Sequence, residues 1–227
     1  MTKQGMFPLA AVIFDMDGVL VDTERQYIEE ERAFGAEVLG LALSDEELFG
    51  MVGGSHQDFR SSMVSWFARA GIVIDADEAC ERFGAWESWR PRDYRALLNP
   101  GVASTIAELR SRGVRTALAS SSPMKNIRTV LAACGLDDLF EVVVSGEQFK
   151  QSKPNPEIYL HTLELLGLSA EACCCVEDSV PGITAGKAAG LTVIAKREDR
   201  FGFSQADADY VIDAIPDLLS FTVCRPA

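Results

Sequence analysis

From about Pro100 onward, short apolar runs alternate with stretches in which apolar positions recur every three or four residues. Runs that are apolar throughout suit strands covered on both faces, and their alternation with helical spacing marks βα units. Four strands are expected here: Val114 to Ala119, Glu141 to Ser145, Cys173 to Val176 and Leu191 to Ala195, each bounded by Gly, Ser or Asp. Between them, Val102, Ile106 and Leu109 share a helix face ahead of Gly113. Ser122 and Pro123 open a helix carrying Ile127, Val130, Leu131 and Cys134 to Gly135, and Asn155 with Pro156 opens another. The pattern predicts an α/β fold, a Rossmann-like layer with a parallel sheet.

Leu9 to Phe14 supplies a further strand, whose sequel resumes only about 85 residues later. The intervening texture differs. Residues 24–98 hold 15 acidic residues and 8 arginines, with helical stretches such as Phe59 to Ala70 and no β-branched run beyond Ile72 to Ile74. This segment is expected to be a small helical domain inserted into a core made of residues 1–23 and 99–227. Trp66, Trp86 and Trp89 suit packing within the insertion or along its seam, and the short tail after Phe221 is expected to fray.

Composition narrows the function classes. The chain of 227 residues is 48% hydrophobic and carries a formal charge of −13, which opposes binding to nucleic acid or an anionic membrane. The apolar run ending at Phe14 is too short for a membrane span or a signal-peptide core, so a soluble, unexported, cytoplasmic chain is expected. Among six cysteines no Cys-x-x-Cys occurs, and Cys173, Cys174 and Cys175 would alternate in direction on a strand as reduced core thiols. Gly-x-Gly-x-x-Gly, Walker A and Gly-x-Ser-x-Gly sequences are all missing.

Candidate chemistry sits at the strand ends. Val12 to Leu20 delivers Asp15 and Asp17 just before Gly18, where ligands bind in open α/β sheets. One carboxylate could act as nucleophile while the other exchanges protons, and both could help hold a hard cation. Asp-x-Asp-Gly also occurs in calcium loops, but an EF-hand starting at Asp15 would need an oxygen ligand at Val19 and a Glu at Gln26. Ser120, Ser121 and Ser122 end the next strand. Ser122 is the candidate helix cap and Ser120 the candidate phosphate contact, two compatible roles. Lys153, flanked by Ser152 and Pro154, places an ammonium where it could neutralise phosphoryl oxygens. Glu177 and Asp178 follow another strand, and adjacent carboxylates repel unless a cation such as magnesium lies among them.

Four strand ends offering two acids, a hydroxyl, a lysine and two more acids in this order resemble the haloacid dehalogenase superfamily. The narrower resemblance is to its branch with a helical cap after the first motif, which holds phosphoglycolate phosphatase-like enzymes and β-phosphoglucomutase. That resemblance implies that Asp15 takes the phosphoryl group as an aspartyl-phosphate and Asp17 serves as general acid and base. It implies phosphoryl binding by Ser120 and Lys153. It also implies Mg2+ held by Asp15, the Asp17 carbonyl and Asp178, with Glu177 beside them.

The cap distinguishes phosphatase from mutase. Mutase-like members place an Arg after a Gly-x-Ser segment and use a cap Lys, whereas Gly53-Gly54-Ser55 is followed here by His56, and no lysine lies between Lys3 and Lys125. Arg60, Arg90, Arg92 or Arg95 could compensate. Hydrolysis of a small phosphorylated metabolite is the expected activity, with a β-phosphoglucomutase-like mutase and a non-catalytic phosphometabolite-binding protein as alternatives. Thr23 matches a hinge-side position that could contact ligand or cap a helix, and His56 could meet substrate or lie at the surface. His161 suits a helix surface. Hinges are expected near Asp22 to Arg25 and Ala96 to Gly101, and the chain is expected to be a monomer.

Overall fold

The computed structural model describes residues 9–54, 56–87 and 92–221. Six strands form one sheet: β1 (Ala11–Phe14), β2 (Arg115–Ser120), β3 (Val142–Ser145), β4 (Cys173–Glu177), β5 (Thr192–Lys196) and β6 (Tyr210–Ile212). All neighbours pair in parallel, in the order β3-β2-β1-β4-β5-β6. The order reverses at β1, so the crevice at the carboxyl ends of β1, β2 and β4 is where this architecture receives ligands.

Apolar runs form these strands because both sheet faces are covered. Val12 and Phe14 pack against α6 (Val102–Ser111) and α7 (Met124–Cys134), while Ala11 and Ile13 pack against α8 (Glu157–Leu166) and α9 (Val180–Ala188). The cysteine triplet alternates as expected, Cys174 on the first face and Cys173 and Cys175 on the second. The four expected strands of the second half lie within one residue of their predicted bounds. Strand β6 was not foreseen, since three residues between Asp209 and Asp213 are too few to show a period.

Between β1 and β2 run α1 (Glu24–Val38), α2 (Asp45–Phe49), α3 (His56–Arg69), α4 (Ala76–Glu87) and the short α5 (Tyr94–Leu97). Helices α1 to α4 build their own hydrophobic cluster around Phe34, whose ring meets those of Phe67, Phe83 and Trp86 at 5.9, 5.1 and 5.5 Å. Trp66 is buried in it, and Trp89 lies outside the described residues. Ile72 to Ile74 forms no strand.

The two chain connections to this insertion run side by side. The Asp22 amide donates to the Leu97 carbonyl (2.8 Å), and the Asn99 amide to the Leu20 carbonyl (2.9 Å). Arg200, in the loop after β5, reaches across to both carboxylate oxygens of Asp22 (2.9 and 2.7 Å), and the Phe201 ring meets that of Phe49 of the insertion at 5.3 Å, tilted by 58°. No described helix is long and apolar enough to cross a membrane.

Close packing of α9 on the sheet generates a test. A Cβ at Gly186 would lie 2.5 Å from Cys175 Sγ and 2.9 Å from Val193 Cγ2, both fully buried, whereas a Cβ at Gly84 in α4 meets nothing within 4 Å. Gly186→Ala is expected to lose about 1–3 kcal/mol despite its better helix propensity, while Gly84→Ala gains up to about 1 kcal/mol. Urea unfolding midpoints check both signs.

Candidate active site

Strand β1 ends at Phe14 and presents Asp15 at the sheet's crevice, 8% exposed. Lys153 reaches it from the loop before α8. All three directions of its ammonium are used: Nζ donates to Asp15 Oδ1 (2.6 Å), Glu177 Oε1 (2.7 Å) and the Ala119 carbonyl (2.9 Å). Burial alone would discharge this lysine, but Asp15 and Glu177 outweigh burial and hold its pKa above the ordinary value. Glu177 Oε1 also accepts from the buried Tyr159 hydroxyl.

Asp15, Glu177 and Asp178 bring one carboxylate oxygen each to within 4.8 Å of one another. Glu177 Oε2 and Asp178 Oδ2 are buried with no hydrogen-bond partner. The turn after β1 lets Asp178 close in: Gly18 has φ +74°, and a Cβ there would lie 1.9 Å from Asp178 Oδ2. Burial pushes Asp15 up to about 7, with Lys153 opposing and Glu177 and Asp17 adding to the rise. Burial, then the charges of Glu24, Asp15 and Glu177, raise Asp178 well above the ordinary carboxylate range. Lys153 pairs with two of these three clustered carboxylates, which therefore need more positive charge before all can ionise. Their all-oxygen donors and orphaned atoms fit a hard divalent cation.

Asp17 lies across the crevice in a cage of hydroxyls. Its Oδ1 accepts from Thr23 Oγ1 (2.6 Å) and the Tyr27 hydroxyl (3.2 Å), and its Oδ2 from Ser122 Oγ (2.9 Å). One expectation is corrected here. Ser122 does not cap α7: Pro123 occupies the cap position without a side-chain bond, and the Ser122 hydroxyl is drawn to the carboxylate instead. Thr23 occupies the N-cap position of α1 without a side-chain cap bond and is fully buried, its hydroxyl donating to Asp17.

A cavity of about 360 Å³ opens above Asp15, Asp17 and Lys153 and extends into the insertion. Ser121 and Ser122 line it, while Ser120 is 1% exposed and its Oγ accepts from the Ser122 amide (3.1 Å). His56 lines the cavity, exposed on α3 and stacked on Phe59; partial burial and Arg60 lower its pKa. Ser55 and Arg90 lie outside the described residues. Arg60 pairs with Asp77, Arg95 is exposed, and Arg92 lines the cavity but is held by Glu30 and Glu87. His161, away from the cavity, lies beside Glu164.

The sequence-based site omitted Glu24, Tyr27, Glu31 and Tyr159. Glu24, Tyr27, Ile28 and Glu31 follow helical spacing, and all line the cavity. That spacing was a usable signal, hidden among acids that resemble a solvated face.

The profile of the haloacid dehalogenase-like hydrolases matches residues 9–190. The phosphorylated carbohydrates phosphatase of Thermotoga maritima is 35% identical over 192 residues, covering 81% of this chain and 82% of the relative. Hexitol phosphatase B of Escherichia coli K12 is 34% identical over 187 residues, covering 82% of each. A CbbY variant of Rhodobacter sphaeroides, solved with xylulose-(1,5)bisphosphate, superposes with a TM-score of 0.74 at 25% identity, covering 95% of this chain and all of that one.

Glu31 offers a pH test of the cavity's electrostatics. It is 7% exposed, and burial followed by the charge of Glu30 pushes it up to about 8 from 4.5, against Arg92. The folded state thus holds a proton that the unfolded chain has released. The stability this group contributes is fully present below pH 4.5 and is lost as pH rises through about 8. Relative to Glu31→Gln, the wild type is expected to lose stability on the order of 2–4 kcal/mol between about pH 5 and about pH 8.5, measured by urea unfolding.

Proposed function

The chain belongs to the haloacid dehalogenase-like hydrolases and is an enzyme of that class, and from this premise we propose that it is a magnesium-dependent phosphatase of small phosphorylated carbohydrates working through an aspartyl-phosphate. The observation that carries this is the convergence of Asp15, Lys153 and the orphaned oxygens of Glu177 and Asp178 at one crevice. In this reading residues 24–98 act as a cap over residues 1–23 and 99–227.

Lys153 engages Asp15 Oδ1, leaving Oδ2 as the nucleophile. Asp15 attacks phosphorus and forms an O–P bond as the ester O–P bond breaks, and the leaving oxygen takes a proton from Asp17. Water then attacks the aspartyl-phosphate, gives its proton to Asp17 and releases phosphate with Asp15 restored. Thr23, Tyr27 and Ser122 hold the Asp17 carboxyl in one orientation for both transfers. Asp15, Glu177, Asp178 and the Asp17 carbonyl would hold Mg2+, which supplies charge neutralisation for nucleophile and phosphoryl group. Ser120 and its neighbour Ser121 supply the serine-loop hydroxyls for the phosphoryl oxygens, the Ser122 hydroxyl being engaged by Asp17. Clamping Arg92 between Glu30 and Glu87 leaves the upper cavity poorly equipped to grip a bisphosphate, which favours hydrolysis over mutase chemistry.

Phosphate release from a panel of sugar and polyol phosphates is expected to require Mg2+, to vanish with EDTA and to fall below about a thousandth of wild type in Asp15→Asn. β-Glucose 1-phosphate converted to glucose 6-phosphate with little release would replace hydrolysis by mutase activity. Silence in both assays would leave a phosphometabolite-binding protein.

A further inference from the structure

The upper cavity holds an imbalance that phosphoryl transfer does not use. Its walls are largely apolar, with Leu48, Val52, Phe59 and Phe83 among them. Against these, α1 presents Glu24 and Glu31 a little under two turns apart on the cavity face. Glu24 accepts from the Gly53 amide (3.3 Å). Glu30 and Glu87 share the guanidinium of Arg92, which also lies 4.5 Å from the Tyr27 ring centre. Glu31 has no such arrangement. It is nine-tenths buried and lines the cavity, and among the described residues its carboxyl has no hydrogen-bond or ion-pair partner.

The Glu31 carboxyl oxygens open onto the cavity rather than being sealed off, so a ligand placed there can complete their hydrogen bonding. The completing group has a defined chemistry. Apart from His56, whose pKa is lowered, the described cations lining the cavity are Arg92 and Lys153, and both are already committed to carboxylates. A second phosphate or a carboxylate in this compartment would meet the cluster of Glu30, Arg92 and Glu87 and the carboxyls of Glu24 and Glu31, with no free positive charge to receive it. Burial also keeps Glu31 protonated near neutral pH, so it can donate to a hydroxyl as well as accept from one.

We propose that Glu31 is the specificity residue for the leaving group: it hydrogen-bonds a distal hydroxyl of an uncharged polyol chain, while the acidic compartment excludes a second anion. This rests on the phosphatase reading above.

The test compares kcat/KM for glucitol 6-phosphate, 6-phosphogluconate, xylulose 1,5-bisphosphate, a six-carbon phosphate ending in a primary amine, and methyl phosphate. Methyl phosphate has no chain to extend along α1 toward Glu31, so it reports the core chemistry alone. Wild type is expected to favour glucitol 6-phosphate over both substrates with an anionic distal end by about 100-fold. Glu31→Leu is expected to lower the ratio of glucitol 6-phosphate to methyl phosphate about tenfold, mainly through KM, and Glu31→Gln to restore it to within about threefold. An unmoved ratio in Glu31→Leu, equal use of 6-phosphogluconate or the bisphosphate, or a tenfold preference for the amine would overturn the proposal. Failure of every substrate with wild-type protein, methyl phosphate included, would instead defeat the phosphatase reading. A thermal melt on each variant separates misfolding from altered specificity, and Glu31→Gln carries the test should Glu31→Leu not fold.

Discussion

Asp15, Glu177 and Asp178 converge at one crevice whose buried ammonium pairs with only the first two, and much of the site's architecture follows from keeping that excess of negative charge in place. Lys153 spends two of its three hydrogen bonds on carboxylates and the third on a backbone carbonyl of β2. Removing one partner of such a buried pair typically costs about 3–5 kcal/mol. Even so, the ammonium answers only part of the charge, and two carboxylate oxygens remain unpartnered. A protein holding this cluster without a cation holds a destabilised site, and such sites are where binding energy and chemistry are concentrated.

The sheet makes the cluster possible. Parallel strands β2, β1 and β4 lie side by side, so residues at their carboxyl ends meet although Phe14, Ser120 and Glu177, which close those strands, are far apart in the chain. The dense cores on both faces hold those ends still. The acid pair then divides by surroundings: Asp15 faces the ammonium, while Asp17 faces three hydroxyls from the start of the insertion and from the serine loop. Thr23 and Tyr27 at the root of α1 thus tie the start of the insertion to Asp17.

What was legible in the sequence follows the range of each signal. Strand ends carrying Asp15, Ser120 and Asp178 could be read because apolar runs deliver them directly, and Lys153 because it stands in a proline-flanked loop ahead of a helix. The hydroxyl cage was not legible, since the pairing of Ser122 with Asp17 spans 105 positions and a serine before a proline otherwise suggests a cap. Strand β6 was too short to show alternation. The cavity face of α1 was written in helical spacing, but in a segment so rich in acids nothing distinguished Glu31, buried and unpartnered, from Glu29, exposed and paired with Arg25.

The most direct measurement is thermal unfolding against Mg2+ concentration for the wild type and for Asp178→Asn. If the cluster is built to be completed by a divalent cation, the wild-type Tm rises steadily with Mg2+ through linkage. Asp178→Asn, relieved of a buried unpaired carboxylate, melts higher than wild type without metal and responds weakly to it. A wild-type Tm indifferent to Mg2+, or an Asp178→Asn variant that is less stable without metal and responds to Mg2+ as fully as wild type, would contradict the account.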